Sequence, residues 1–408
     1  MQKRLYKKIS GCRFLRCIAG VILVLFAVID VSGTAFCIEP PERRQPDLSG
    51  TTKKDKVFLE AANELEFNEL IAPDFQILRG DVRFRKDSMY MFCDSAYFYE
   101  KSNSLDAFGN VRMEQGDTLF IFGDELYYDG ETQLARIRHN VRMINRDVVL
   151  TTDSFNYDME INIGYYFNGG EVADSVNRLN SFYGQYSPST KLAIFNDSVR
   201  LENEQFTLYS DTLHYNTDSK IATILGPSII VSDSGTIYSS RGWYDTVNNT
   251  SLLLDRSQVV SGDRILTGDS IAYNRELGFG EAFGNMSLQD TAQHVMLEGQ
   301  YGFYNEKSEY AFATDSARFL EFSQGDTLFL HGDTLKMTTV DSLYREVKAY
   351  YGVRFYRTDM QGVCDSMQFN TRDSILYMYT DPIVWNEQYQ IYGDTILIFM
   401  NDSSIDFA

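Results

Sequence analysis

From about residue 57 onward, apolar and polar positions alternate with a period of two, and the alternation restarts about every thirty residues. Each restart carries a phrase of roughly the form Asp-(Ser/Thr)-apolar-x-aromatic or apolar. Clear copies begin at Asp94, Asp124, Asp153, Asp211, Asp269, Asp333, Asp365 and Asp394, and weaker ones at Asn63, Gly184, Arg241 and Gly299. The second and fourth residues after the anchor are apolar or aromatic: Ala96 and Phe98, Leu126 and Tyr128, Phe155 and Tyr157, Leu213 and Tyr215, Ile271 and Tyr273. A second phrase follows each anchor, clearest as Gly109-Asn110-Val111, His139-Asn140-Val141, Asp197-Ser198-Val199 and Gly284-Asn285-Met286. It alternates in the same way, as in Val111/Met113 and Val141/Met143. A period of two with one apolar face predicts half-buried strands.

Gly, Asn and Asp separate these runs, as in Tyr128-Asp129-Gly130, and they tolerate the backbone angles of tight turns. The residue after the repeated Asp is often Ser or Thr, so the Asp itself reads as a turn former bonding nearby amides. No convincing apolar helical stripe follows Asp55, and only seven prolines are present to interrupt pairing. The chain is therefore predicted to be all-β, built from about twelve repeats. At two or three short strands each, these give roughly 24 to 36 strands, too many for a closed single-sheet barrel and better suited to an elongated stack of mostly antiparallel strands. No linker breaks the period, so residues 56–408 read as one continuous array in which each unit buries its apolar face against its neighbours.

The first thirty-five residues follow another pattern. Lys3, Arg4, Lys7, Lys8, Arg13 and Arg16 precede an apolar run from Cys17 to Ile29 and small residues around Gly33-Thr34-Ala35. This predicts a secretory signal peptide over 1–35, cut after Ala35. An uncleaved anchor is the second reading, although the apolar run is short for a span of about twenty residues. Residues 36–55 are polar and contain proline, and read as a flexible leader.

Removing a signal with six positive charges and one negative takes the formal net charge from −20 to −25. So acidic a chain argues against nucleic acid as a partner and against unaided docking on an anionic membrane. Cys37, Cys93 and Cys364 remain, too scattered for a disulfide framework, and read as isolated thiols. The four histidines lie far apart, and no metal-ligand spacing, phosphate loop or nucleophile elbow occurs. One carboxylate per thirty residues is a weak calcium signal. The sequence therefore offers no catalytic residue, no metal site and no cofactor. It does offer 27 Tyr and 28 Phe, many at inward positions, which either close a dry core or line a groove.

The pairing of the D-x-L-x-Y phrase with the A-x-G-N-V phrase, seen in Asp94–Val111, Asp124–Val141 and Asp269–Met286, resembles the OstA/LptA family of lipopolysaccharide transport proteins, including the periplasmic region of LptD. The resemblance extends over about residues 57–400. It implies an open β-jelly roll, folded like a taco, whose apolar interior holds the acyl chains of lipid A. It further implies a non-enzymatic protein of the periplasm, associated with the outer membrane. Its partners would be lipopolysaccharide, other Lpt-type components reached by edge-strand pairing, and head-to-tail copies of itself. Carried over position by position, the groove candidates are Phe98, Val111, Leu126, Tyr128, Val141, Phe155, Tyr157, Val199, Leu213, Tyr215, Ile271, Tyr273 and Met286. The alternative is a parallel β-solenoid acting as an adhesin or envelope scaffold. Strand direction separates the two.

Overall fold

The computed structural model describes residues 56–68, 73–322, 327–340, 344–386, 389–401 and 404–407, so the signal peptide expected over 1–35 and the leader over 36–55 lie outside the described residues. Residues 54–408 form one compact unit. Its described part holds thirty-one strands in a single sheet and no helix. Every ladder among them is antiparallel. That direction bears out the meander reading of the turns and excludes the parallel solenoid.

The long strands are bent at their centres. Gln76–Lys86 pairs with Glu64–Glu66 through its first half and with Phe58–Ala61 through its second. Val148–Asp158 divides in the same way between Gly170–Ala173 and Ile163–Tyr166. Each bent strand thus gives one arm to each of two walls. The first wall holds the residues that follow each repeated Asp, and the second holds those that follow each Gly-Asn phrase.

The bend has a cause in the sequence. Gly109 and Asn110 adopt φ of 78° and 45°, His139 and Asn140 60° and 51°, and Gly284 and Asn285 70° and 46°. Between the pairs Phe108↔Glu125 and Val111↔Gly123, Gly109 and Asn110 face the single residue Asp124, which makes the site a β-bulge. Two consecutive left-handed residues fold an extended chain over, and Gly and Asn reach that region at low steric cost. Side chains then fasten the corner. The amide of Asn110 donates to Asp94 Oδ2 at 2.8 Å, that of Asn140 to Asp124 Oδ2 at 2.7 Å, and that of Asn285 to Asp269 Oδ2 at 2.8 Å. At Gly109 a Cβ would lie 2.5 Å from the Asp94 carboxylate, so a larger residue there would push that carboxylate aside.

The repeated aspartates therefore sit in mid-strand at an exposed corner, not in the turns where the sequence reading placed them. The turn role falls to residues at the strand ends. Asp129 Oδ1 accepts from the Glu131 backbone N–H at 2.8 Å, and Asp245 Oδ1 from those of Val247 and Asn248 at 3.0 and 2.9 Å.

The bend turns the apolar faces of both walls inward. Phe84 of the second wall meets Phe98 of the first with ring centroids 5.4 Å apart. Leu78, Leu105, Met113, Leu126, Phe195 and Leu213 are fully buried between the walls.

Candidate functional site

Away from the corner, the arms of each wall end in a rim of turns, and polar side chains tie one rim to the other. Lys86 Nζ donates to Gln133 Oε1 at 2.9 Å and Lys191 Nζ to Asn145 Oδ1 at 2.9 Å. Asn249 Nδ2 donates to Gln205 Oε1 at 2.6 Å, and Arg275 bonds Ser234 Oγ and the Gln205 carbonyl, both at 2.9 Å. Arg264 reaches the Tyr304 hydroxyl and lies 3.6 Å from Glu309.

The most buried of these ties is a clasp around Asp174 in the second wall. Asp174 Oδ2 accepts from the Tyr215 hydroxyl at 2.7 Å and pairs with Lys220 Nζ at 3.0 Å, both from the first wall. The side chains of Asp174 and Lys220 are only 1% and 14% exposed. Asn177 Nδ2 completes the clasp by donating to Tyr215 Oη at 2.7 Å and Thr246 Oγ1 at 2.8 Å. Burial pushes the Asp174 carboxyl up, but the bonds from Tyr215, the Val176 and Asn177 amides and Lys220 outweigh it and hold the group below the usual carboxylate range.

Beyond these ties the interior changes. A cavity of about 400 Å3 lies between the walls, lined by Phe319, Leu330, Phe355 and Met360 of the second and by Met337, Val347, Met367, Phe369 and Leu376 of the first. Arg345 and Arg357 stand at its two rims. A smaller cavity of about 60 Å3 adjoins it, sharing Val295, Met337, Arg345 and Val347. Met337, Val347 and Phe369 are only half buried, whereas the equivalent inward positions upstream, such as Tyr215 and Tyr157, are almost completely enclosed.

All thirteen groove candidates point inward. Phe98, Val111, Leu126, Tyr128, Val141, Phe155, Tyr157, Val199, Leu213, Tyr215, Ile271, Tyr273 and Met286 are each at most 8% exposed. They occupy the filled stretch, and none lines the 400 Å3 cavity. The cavity residues belong to the same phrase: Met337 is the fourth residue after Asp333, and Met367 and Phe369 are the second and fourth after Asp365. The signal that distinguishes them is the fourth slot. In several upstream units it is Tyr, and the hydroxyl can reach the rim, as Tyr157 does to Asn162 and Tyr215 to Asp174. Met337 and Phe369 have no hydroxyl to offer.

These buried phenols set an alkaline limit. Burial raises Tyr166 and Tyr304 to about 12, and lifts Tyr128, Tyr157 and Tyr215 further still. The folded state favours the neutral phenol, so this contribution is complete below the ordinary value near 10 and is lost as the pH rises toward 12. A pH titration followed by circular dichroism and tyrosinate absorbance should show loss of strand signal in step with the late-ionising tyrosines. Their ionisation without loss of strand signal would contradict the burial.

The thiols play no comparable part. Cys93 and Cys364 are free and buried, and burial pushes them up to about 12 and about 11, out of reach of ordinary thiolate chemistry.

One antiparallel sheet, folded along a line of bulges so that its walls enclose an apolar interior, defines a β-jelly roll of stacked bent strands. Residues 54–211 match the model of the family described as OstA-like protein. No curated protein matches. Solved structures that match include the crystal structure of LptH, the LptA homologous periplasmic component of the lipopolysaccharide transport device from Pseudomonas aeruginosa. It is 14% identical, with 26% of this chain and 79% of that chain covered and a TM-score of 0.24.

Proposed function

We propose that the protein is a non-enzymatic, periplasmic component of lipopolysaccharide transport that shelters acyl chains between its two walls. The observation that carries this reading is the cavity of about 400 Å3 walled mainly by methyl, thioether and phenyl groups, with a few polar side chains in its lining. Its size falls within the range of about 300 to 1,000 Å3 common for ligand pockets. About ten methylenes moved from water into it would contribute a gross ~8 kcal/mol, at ~0.8 kcal/mol each. The OstA-like match and the signal-like first thirty-five residues support a place in the envelope. Entry of acyl chains among the thirteen upstream positions would require the rim ties to part.

The sheet ends in strands suited to receiving partners. Tyr389–Tyr392 pairs on one side only among the described strands, and Tyr389 and Tyr392 are 70% and 77% exposed. Edge pairing there would join this protein to other transport components or to a second copy.

The test is lipid mass spectrometry of the protein purified gently from its native envelope, combined with photocrosslinking. Retained lipopolysaccharide, with strong crosslinks at Phe369 and weak ones at its outward neighbour Gln368, is the expected result. Leu213 and Ile271 should crosslink only in a clasp-broken variant. A lipid-free protein, with equal labelling at inward and outward positions, would refute the reading.

A further inference from the structure

The cavity has a polar feature that an acyl-chain shelter alone does not need. In a chain of formal net charge −20, its mouth carries an arginine on each rim, Arg345 on the first wall and Arg357 on the second. Arg357 is already engaged, donating to both carboxylate oxygens of Asp359 at 2.6 and 2.7 Å. Arg345 differs. Its backbone N–H donates to Thr371 Oγ1 at 2.8 Å, while no carboxylate among the described residues stands within ion-pair distance of its guanidinium. The same side chain borders both the large cavity and the small one beside it. A guanidinium holds five donors in a planar fork, matched to carboxylate or phosphate oxygens. Such a donor at the mouth of an apolar hollow marks where the charged end of a ligand stops while its hydrocarbon end goes in.

Size narrows the ligand further. A water molecule's share of liquid volume is about 30 Å3, and a methylene group is of similar size, so the cavity has room for about a dozen carbons. This suits a single acyl chain and is small for several packed side by side.

We propose that the cavity binds one acyl chain of about a dozen carbons and that Arg345 holds the anionic group at its head. This rests on the acyl-shelter reading above and adds to it a charge preference and a stoichiometry. The head is a carboxylate or a phosphate ester, which present the same oxygens to the guanidinium. Glu321, also in the lining, disfavours a second anionic group on the opposite wall.

The experiment is displacement of the uncharged fluorophore N-phenyl-1-naphthylamine from the full-length mature protein. The competitors are dodecanoate, methyl dodecanoate and lipid A with and without its phosphates. Each is tested on the wild type, Arg345→Gln and Arg345→Lys. Dodecanoate should displace the probe at least about tenfold better than its ester, the factor a charge-assisted contact supplies, with about one molecule bound per chain. Arg345→Gln should erase that preference, and Arg345→Lys should keep part of it. Melting curves identical to the wild type show that Arg345→Gln is folded.

A preference for phosphorylated over dephosphorylated lipid A larger than that for dodecanoate over its ester assigns the head to phosphate; the reverse assigns it to carboxylate. Equal binding of acid and ester, or a preference that survives Arg345→Gln, overturns the role of Arg345 but leaves the acyl shelter standing. Failure of the fluorophore and of every lipid to bind removes the shelter itself.

Discussion

Replacing Asp174 by alanine is expected to open the roll locally, at a cost of about 3–5 kcal/mol. The size follows from what is left behind: the side chain of Lys220 is 14% exposed, and without Asp174 it would be a largely buried ammonium 3.5 Å from the exposed Asp147 alone. Tyr215 would also lose its acceptor, and Asn177 part of its support. By contrast, Tyr215→Phe removes one hydroxyl and should cost about 1 kcal/mol. Stability in an array is dominated by nearest neighbours, so hydrogen exchange should rise in Gly170–Ala173, Phe206–Asn216 and Ile221–Ile224 and hardly change near the far ends. Equal effects from the two substitutions would show that the ion pair contributes nothing. The sign of the pH dependence is fixed as well. Because the Asp174 carboxyl is held below its ordinary value near 3.9, its contribution is complete above that pH and is lost only as the pH falls through the depressed value.

The second large effect is a contrast between two phenylalanines. Phe155 is fully buried, stacks 6.3 Å from Tyr157, and lies so close to Gly164 that a Cβ there would be 2.1 Å from its ring. Phe155→Ala should cost about 3–5 kcal/mol, because neighbours this close cannot collapse into the void. Phe369 also points inward, from the fourth slot of its unit, but borders the 400 Å3 cavity and is only half buried. Phe369→Ala should cost less than about 2 kcal/mol, since part of its surface already lacks protein contacts. Denaturant titrations of the two variants, compared with lipid removed, decide the matter. Equal losses would mean that the cavity closes in solution.

Much of this was legible in the sequence. The period-two alternation at Leu126/Tyr128 and Val141/Met143 fixed which residues face inward, because a strand must send alternate side chains to opposite faces. The antiparallel direction was readable from turn formers such as Asp129-Gly130. The corner was not, although both halves of it were in view. Asp124 and Asn140 are separated by sixteen residues, and only the fold of the sheet shows that this spacing brings a carboxylate to an amide across a bulge. An Asp-Ser pair has the composition of a turn, and composition alone does not separate a reversal of direction from a bend within a strand. The rim ties were hidden for a different reason: Asp174 and Lys220 are joined by packing between walls, for which no local pattern exists. The hollow stretch did leave a trace, the change from Tyr at the fourth slot to Met337 and Phe369. Its meaning depends on knowing where the tyrosine hydroxyls go.

The corner also bears on how such a chain changes length through descent. Successive bent strands alternate between a two-residue bulge and the single Asp that faces it, so one added strand would set like against like and reverse every later arm. A pair of strands restores the order. Gain or loss of about thirty residues is therefore neutral for pairing, whereas half that length is not. The reach of the molecule is free to drift across generations only in whole hairpins, like a tape lengthened by complete links.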